Sequence, residues 1–273
     1  MNAIGNGLLK SFKHLRVDAD AAGVVTVMLA RKPANAVDYE MYCEIADLFN
    51  DIDQADVGVK VVVLGGEGKH FCAGNDLGEF ATMTPENGVE RMWRVREAFY
   101  AISGCAVPVI GAVQGSALGT GLAIAASCGF VVAEPDARFG LPELTVGVMG
   151  GARHLARLAP GPLVRRMYFT GDSLSARDLR AFGGCVFVSE PGGSLAEARR
   201  FGARVASFSP TAVRVSKRVL DRIETLDLHT GYAFEQKATV RMSGHPDSKE
   251  ALAAFQEKRA PQYRPEIDRT KFD

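Results

Sequence analysis

Two hydrophobic rhythms alternate along the first half of the chain. Residues 24–29 (VVTVML) and 59–64 (VKVVVL) are short β-branched runs bounded by Gly, Pro or charged residues, the pattern of buried strands. Between them, residues 37–53 place Met41, Ile45, Leu48, Phe49 and Ile52 at helical spacing. Strand, helix, strand is the unit of a parallel sheet with a crossover connection. The unit recurs. A helix is predicted over 85–103, with Met92, Val95, Phe99 and Ile102 on one face, then a strand over 108–113 (PVIGAV). A small-residue helix over 119–127 and a strand over 130–132 follow. From about Pro160 the strand signals thin out, apart from CVFV at 185–188, and helices are predicted over 195–208, 211–223, 226–242 and 248–258. The chain therefore divides into an α/β core, 1–200, and a helical region, 201–273, with the boundary falling between residues 190 and 205.

Composition narrows the function classes. The 273 residues are 47% hydrophobic and 23% charged, and a chain of this length buries a sizeable core without disulfides or metal. Lys plus Arg and Asp plus Glu both number 32, so no basic excess marks a nucleic-acid partner. The five cysteines (43, 72, 105, 128 and 185) are scattered, with no CxxC pair, and read as small apolar groups. The five histidines lack metal-ligand spacing, so neither a metal nor a redox cofactor is expected. The N-terminus has no apolar leader pattern, and the apolar stretches are too short to span a membrane. A reducing, cytoplasmic location is expected.

The densest chemical signal lies in two Gly-rich loops, each following a strand. The loop over 65–80 (GGEGKHFCAGNDLGEF) misses the P-loop, because Lys69 is followed by His70, and misses the dinucleotide fingerprint, because Phe71 stands where the third Gly belongs. The segment over 111–151 runs from a strand through a Gly-rich turn into a helix; Ser116 directly follows Gly115, so it is no nucleophile elbow. The unpaired first amides of that helix suit a developing anion, and its small residues equally suit tight helix–sheet packing; both readings stand on this segment alone.

Together the stretches PANAVD (33–38), FCAGNDL (71–77), PVIGAVQGSALGTGLAIAASC (108–128), DARFGLPELTVGV (136–148) and KEALAAFQEKR (249–259) resemble the enoyl-CoA hydratase/isomerase (crotonase) family over nearly the whole chain. The resemblance implies an α/β spiral of ββα units with a C-terminal helical region that builds trimers, often paired into hexamers. It implies an acyl-CoA substrate, with coenzyme A entering as part of the thioester rather than as a cofactor. It further implies that the amides of Asn75 and Thr120 hold a thioester oxyanion. The backbone of Ala34, Asn35 and Ala36 would lie along the CoA moiety. Ala73, Gly74, Asp76, Leu77 and Gly119 would complete the acyl-CoA site, with Phe255 and Lys258 reaching the CoA of a neighbouring subunit.

Of the two glutamates of the family's hydratases, the second matches Glu143 in FGLPEL; the first falls on Ala123, whose methyl group cannot carry a proton. A lone Glu143 suits a shuttle that removes a proton at one carbon and returns it at another, as the family's double-bond isomerases do. Hydration of an unusual acyl chain and a catalytically silent acyl-CoA-binding paralogue are the competing readings. Asn75 is expected either to bond Glu143 or substrate, or to serve as a residue that tolerates a left-handed turn. Asp76 is expected to fix its own loop, and Glu79, Glu86, Glu90 and Glu97 to be solvated helix charges. The loop GVMGGARHL (147–155) is about three residues shorter than the family pattern by alignment of the motifs. Its Arg153 and His154 are expected at a surface or helix terminus.

Overall fold

The computed structural model describes residues 11–52 and 58–264. Strands Leu15–Ala19 (β1) and Val24–Leu29 (β2) pair antiparallel, and helix Tyr39–Asp51 (α1) leads to Val61–Gly66 (β3), which is parallel to β2. Asp38 caps α1 by accepting the Met41 amide at 2.9 Å. The short helix Leu77–Phe80 (α2) and the long helix Pro85–Ser103 (α3) follow. Thr84 and Asn87 form a capping box and Pro85 occupies the first turn, which is why α3 begins where the sequence indicates. Residue 53 and residues 1–10, part of the helical and N-terminal readings above, lie outside the described residues.

The next elements show the spiral. Val109–Val113 (β4) lies in the main sheet, Ser116–Leu118 (β5) in a second sheet, and helix Thr120–Ser127 (α4) closes the unit. Phe130–Ala133 (β6) and Arg138–Gly140 (β7) repeat the alternation. A 3-10 turn, Pro142–Val146, then leads into helices Ala152–Leu155 (α5) and Gly161–Thr170 (α6). Ser173–Ser175 (β8), helix Ala176–Ala181 (α7) and Phe187–Val188 (β9) complete the core strands, with the order β1-β2-β3-β4-β6-β9 in one sheet and β5-β7-β8 in the other. The second sheet escaped the sequence reading because its strands are three residues long and read SAL, RFG and SLS, too short for any period to show.

The main sheet is covered on both faces, so its strands are apolar throughout rather than alternating. Val62 and Leu64 of β3 face the large core with α1 and α3, while Val61 and Val63 face the opposite way with Val24, Ile110 and Val132. Helix Ser194–Ala206 (α8) covers that second face: a Cβ on its Gly202 would lie 3.2–3.6 Å from Val24, Val63 and Val61. Residue 200, the expected division point, falls inside α8.

Helices Pro210–Ile223 (α9), Leu228–Ser243 (α10) and Pro246–Gln256 (α11) form a separate bundle around Val215, Val219 and Ala238, joined by Ile223, Phe234 and Met242. It is tied to the core by polar contacts: Lys217 Nζ donates to the Ser103 carbonyl at 2.6 Å, and Arg157 pairs with Glu224 at 3.0 Å. Among the described residues no helix is long and apolar enough to cross a membrane. The five cysteines all lie among the described residues and none is in a disulfide; Cys72, Cys105 and Cys128 are buried, as expected of small apolar groups, whereas Cys185 is exposed.

Candidate active site

Three loops are stitched into one short ladder. Phe71 and Cys72 donate their amides to Gln114 and Ser116, both at 2.9 Å, and Leu118 donates to Cys72 at 3.1 Å. On the other side Ala73 donates to Ala34 at 3.0 Å, Val37 to Gly74 at 2.8 Å, and Asp76 to Val37 at 2.9 Å. In this parallel bridge Val37 pairs with the residues flanking Asn75, so the Asn75 amide is left out of the ladder. The Thr120 amide is the first of α4 and has no residue one turn earlier in the helix to receive it, while the Gly119 amide before it is consumed by the Gly140 carbonyl at 3.0 Å. Helix and loop approach closely because Gly121 has no side chain: a Cβ there would sit 2.2 Å from the Cys72 carbonyl oxygen.

Side chains lock the loops. Asn35, buried and at φ 55°, donates from Nδ2 to the Glu67, His70 and Phe71 carbonyls at 2.9–3.1 Å. Arg31 spans the 33–38 and 71–77 loops, reaching Asp38 at 2.8 Å, Asp76 at 2.8 Å and the Ala36 carbonyl at 2.9 Å. Asp76 also caps α2 by accepting the Glu79 amide at 3.0 Å. These two donors, the Glu79 amide first and then Arg31, hold the Asp76 carboxyl below its ordinary range.

A cavity of about 490 Å³ opens where the loops meet, within the size range of small-molecule sites. Asn75, Thr120 and Glu143 line it together, with Ala36, Ala73, Gly74, Asp76, Leu77 and Gly119 from the sequence-derived set; Phe80, Thr145, Val146 and Val148 add apolar wall. Ala34 and Asn35 are not among its lining residues and serve the ladder instead. Phe255, 83% exposed, and Lys258, at φ 55°, sit at the end of α11 and do not line this cavity either.

Glu143 follows Pro142 in the 3-10 turn after β7, half-buried. Its Oε2 is buried without a hydrogen-bond partner, and its Oε1 would lie 3.2 Å from a Cβ on Gly119. Burial pushes its carboxyl up. The two carboxyls lining the cavity are thus driven apart: the partners of Asp76 favour its ionised form, and burial makes Glu143 hold its proton more tightly than an ordinary glutamate. Ala123 is buried in the core and contributes no group to the cavity wall.

Several readings are corrected by the geometry. In the 65–80 loop the residues at positive φ are Gly68, at 78°, and Gly74, at 116°; Asn75 is not one of them. The Asn75 side chain bonds neither Glu143 nor a turn amide: its Oδ1 accepts from the Tyr42 hydroxyl at 2.5 Å. Glu79 is not a solvated charge but pairs with Arg91 at 2.5 Å and accepts the Tyr39 amide at 2.8 Å at the start of α1. Arg153 and His154 do lie in the last turn of α5, the helix terminus expected of them; the His154 ring packs edge-on to Phe99 at 4.9 Å, and burial, then Arg157 and Arg153, lower its pKa. Tyr42 is not marked out by the sequence, where it merges with the apolar stripe of α1. The signal is a phenol at position 42, about one helical turn from Ile45 and two from Phe49, whose buried hydroxyl must find a partner.

The family described as "Enoyl-CoA hydratase/isomerase" matches residues 19–266. The chain belongs to this family. Its relatives include a "(7aS)-7a-methyl-1,5-dioxo-2,3,5,6,7,7a-hexahydro-1H-indene-carboxyl-CoA hydrolase" of Rhodococcus jostii, 34% identical over 82% of this chain and 87% of that protein. A short-chain-enoyl-CoA hydratase of Clostridium acetobutylicum is 31% identical over 87% of this chain and 93% of that one. Among solved structures, an enoyl-CoA hydratase from Bacillus anthracis superposes with a TM-score of 0.87 at 32% identity, covering 93% of this chain and all of the other. This is an acyl-CoA enzyme of the enoyl-CoA hydratase/isomerase family with the crotonase fold.

Proposed function

We propose that this enzyme is a double-bond isomerase of acyl-CoA thioesters that uses Glu143 as its one acid/base. The observation that carries the reading is the state of that carboxyl: it lines the cavity with a buried, partnerless Oε2, while the other lining carboxylate, Asp76, is committed to Arg31 and the Glu79 amide. The thioester oxygen would accept the Asn75 and Thr120 amides. Glu143 would then take a proton from C2 of a 3-enoyl thioester, the C2–H pair moving into a dienolate whose charge rests on that oxygen. Collapse of the dienolate, with the same carboxyl returning the proton to C4, leaves the double bond between C2 and C3. Preorganised donors of this kind contribute about 3–4 kcal/mol each to the barrier reduction. Both donors are main-chain N–H groups, so neither side chain itself donates to the thioester oxygen.

The apolar side chains exposed on α10 and α11, including Leu228, Val240 and Phe255, support assembly into a trimer or a hexamer of paired trimers. In such an assembly Phe255 and Lys258 would reach a neighbour's CoA.

The test is product analysis on matched substrates. A 3-enoyl-CoA should gain the near-ultraviolet absorbance of a conjugated thioester, and a 2-enoyl-CoA should not lose it. Loss from the 2-enoyl compound with no gain from the 3-enoyl compound would make the enzyme a hydratase instead. A second reading is supported by the 34% identity to the Rhodococcus jostii protein: hydrolysis of a CoA-linked cyclic diketone, with Glu143 activating water. Offered such a diketone thioester, the enzyme should break a ring C–C bond, the hydroxyl of water going to the carbonyl carbon and its proton to the released carbon. A product with one added water, a new carboxyl and the thioester retained identifies this reading, whereas hydration creates no carboxyl.

A further inference from the structure

Behind the cavity wall one phenol joins the two residues whose amides the mechanism uses. Tyr42 comes from α1, 5% exposed, and does not line the cavity. Its hydroxyl donates to Asn75 Oδ1 at 2.5 Å and lies 2.8 Å from Thr120 Oγ1. A phenol has one proton to give. With that proton on Asn75, the Thr120 hydroxyl must be the donor to Tyr42, so the bonds run in one direction from Thr120 through Tyr42 to Asn75. Burial raises the Tyr42 pKa far from neutrality, which keeps the phenol neutral and the chain of donors intact. The ring is itself fixed, packing edge-on to Phe99 with centroids 6.2 Å apart.

Asn75 and Thr120 lie on separate loops, 45 residues apart in sequence, and the backbone ladder skips the Asn75 amide. The ladder therefore sets the neighbours of each amide without bonding the Asn75 and Thr120 amides themselves. The side-chain bridge supplies the missing constraint between them. We propose that Tyr42 is a positioning residue, its hydroxyl holding Asn75 and Thr120 at the mutual spacing that a single thioester oxygen requires. The proposal rests on the oxyanion reading above. It assigns Tyr42 no contact with substrate. It also gives the side chains of Asn75 and Thr120 a shared purpose, since their backbone amides alone would not require an amide or a hydroxyl there.

The experiment uses the full-length enzyme, with Tyr42→Phe, Thr120→Val and the double variant. Each removes a hydroxyl from the bridge and leaves both backbone amides in place. A push–pull thioester, 4-(dimethylamino)cinnamoyl-CoA, reports carbonyl polarisation through the red shift of its absorbance on binding, with no turnover needed. kcat and KM are measured on whichever enoyl-CoA the wild type converts, and thermal midpoints are recorded alongside. The expected result is a red shift in Tyr42→Phe reduced to less than about half, kcat lower by about ten-fold, and KM within about two-fold. Thr120→Val should behave alike, and the double variant should be no worse than either single one, because each breaks the same bridge.

A Tyr42→Phe enzyme with wild-type red shift and wild-type kcat, whatever its thermal midpoint, overturns the proposal, since a purely structural role lowers the midpoint and nothing else. Should that variant not fold, Thr120→Val carries the same reading: an unchanged shift and kcat there overturn it. A wild-type enzyme that binds the probe with no red shift instead overturns the oxyanion reading itself, so the two failures are separable.

Discussion

Glu143 Oε1 stands so close to Gly119 that a Cβ on the glycine would lie 3.2 Å from it. Gly119 also holds φ 53° and ψ −118°, a conformation that residues with side chains rarely adopt. The same glycine thus turns the chain into α4, bringing the Thr120 amide to the cavity, and leaves room for the carboxyl.

Gly119→Ala should therefore fail twice. The backbone conformation should cost about 1–3 kcal/mol of stability, measurable by denaturant unfolding. Crowding of the carboxyl should lower kcat well beyond what loss of folded protein explains. An alanine variant with unchanged stability and turnover would contradict the placement of Glu143.

Glu143→Gln should keep the fold and lose proton transfer, with kcat lower by roughly 10²–10⁴-fold. Near-normal turnover in this variant would remove Glu143 from the mechanism. Stability should move the other way. The folded protein binds the Glu143 proton more tightly than the unfolded chain does, so ionisation of this carboxyl opposes folding. That penalty is absent below the unfolded pKa and complete above the folded one. The Gln variant should therefore melt higher than wild type at neutral pH, and the difference should shrink as the solution is acidified.

The pH profile of kcat/KM follows from the same burial. Glu143 must be ionised to accept the C2 proton, and its pKa lies above the ordinary glutamate value. The acidic limb should fall on the neutral side of an ordinary glutamate titration and vanish from the residual activity of Glu143→Gln. An acidic limb unchanged in that variant would assign it to another group.

The motif-bearing loops were legible because their residues carry unusual demands. Gly119, Thr120 and Glu143 sit in turns where few sequences serve, and the loops follow strands whose apolar runs announce themselves. What could not be read was pairing between distant polar groups. Tyr42 belongs to an apolar stripe, and only the fold shows that its hydroxyl points at Asn75 and Thr120. Glu79 has the spacing of a surface charge, yet Arg91 and the Tyr39 amide claim it. The second sheet was invisible for a simpler reason, since its three-residue strands are specified by their partners more than by their own side chains.

Arg31→Met tests the clamp between the 33–38 and 71–77 loops. It strips Asp38 and Asp76 of their cation and the Ala36 carbonyl of a donor. Charge-assisted bonds of this type contribute about 1.5–3 kcal/mol. The expected outcome is a destabilisation of that order with a raised KM for acyl-CoA, because Ala36 and Asp76 both line the cavity.

Assembly is open to a direct measurement. Light scattering or native mass spectrometry should find a trimer or hexamer at micromolar concentration. Replacing Leu252 and Phe255, which are 59% and 83% exposed, by Asp should shift it toward monomer. A monomeric wild type would remove the expected role of Phe255 and Lys258.

In the proposed isomerisation one carboxyl, Glu143, carries one proton between two carbons of the same acyl chain. Incubation of a 3-enoyl-CoA deuterated at C2, followed by mass-spectrometric location of the label in the product, tests this most directly. Part of the deuterium should reappear at C4 of the 2-enoyl product, with none moved when Glu143 is replaced by Gln. A product that has gained water, or that carries no label at C4 under any condition of exchange, would contradict the account.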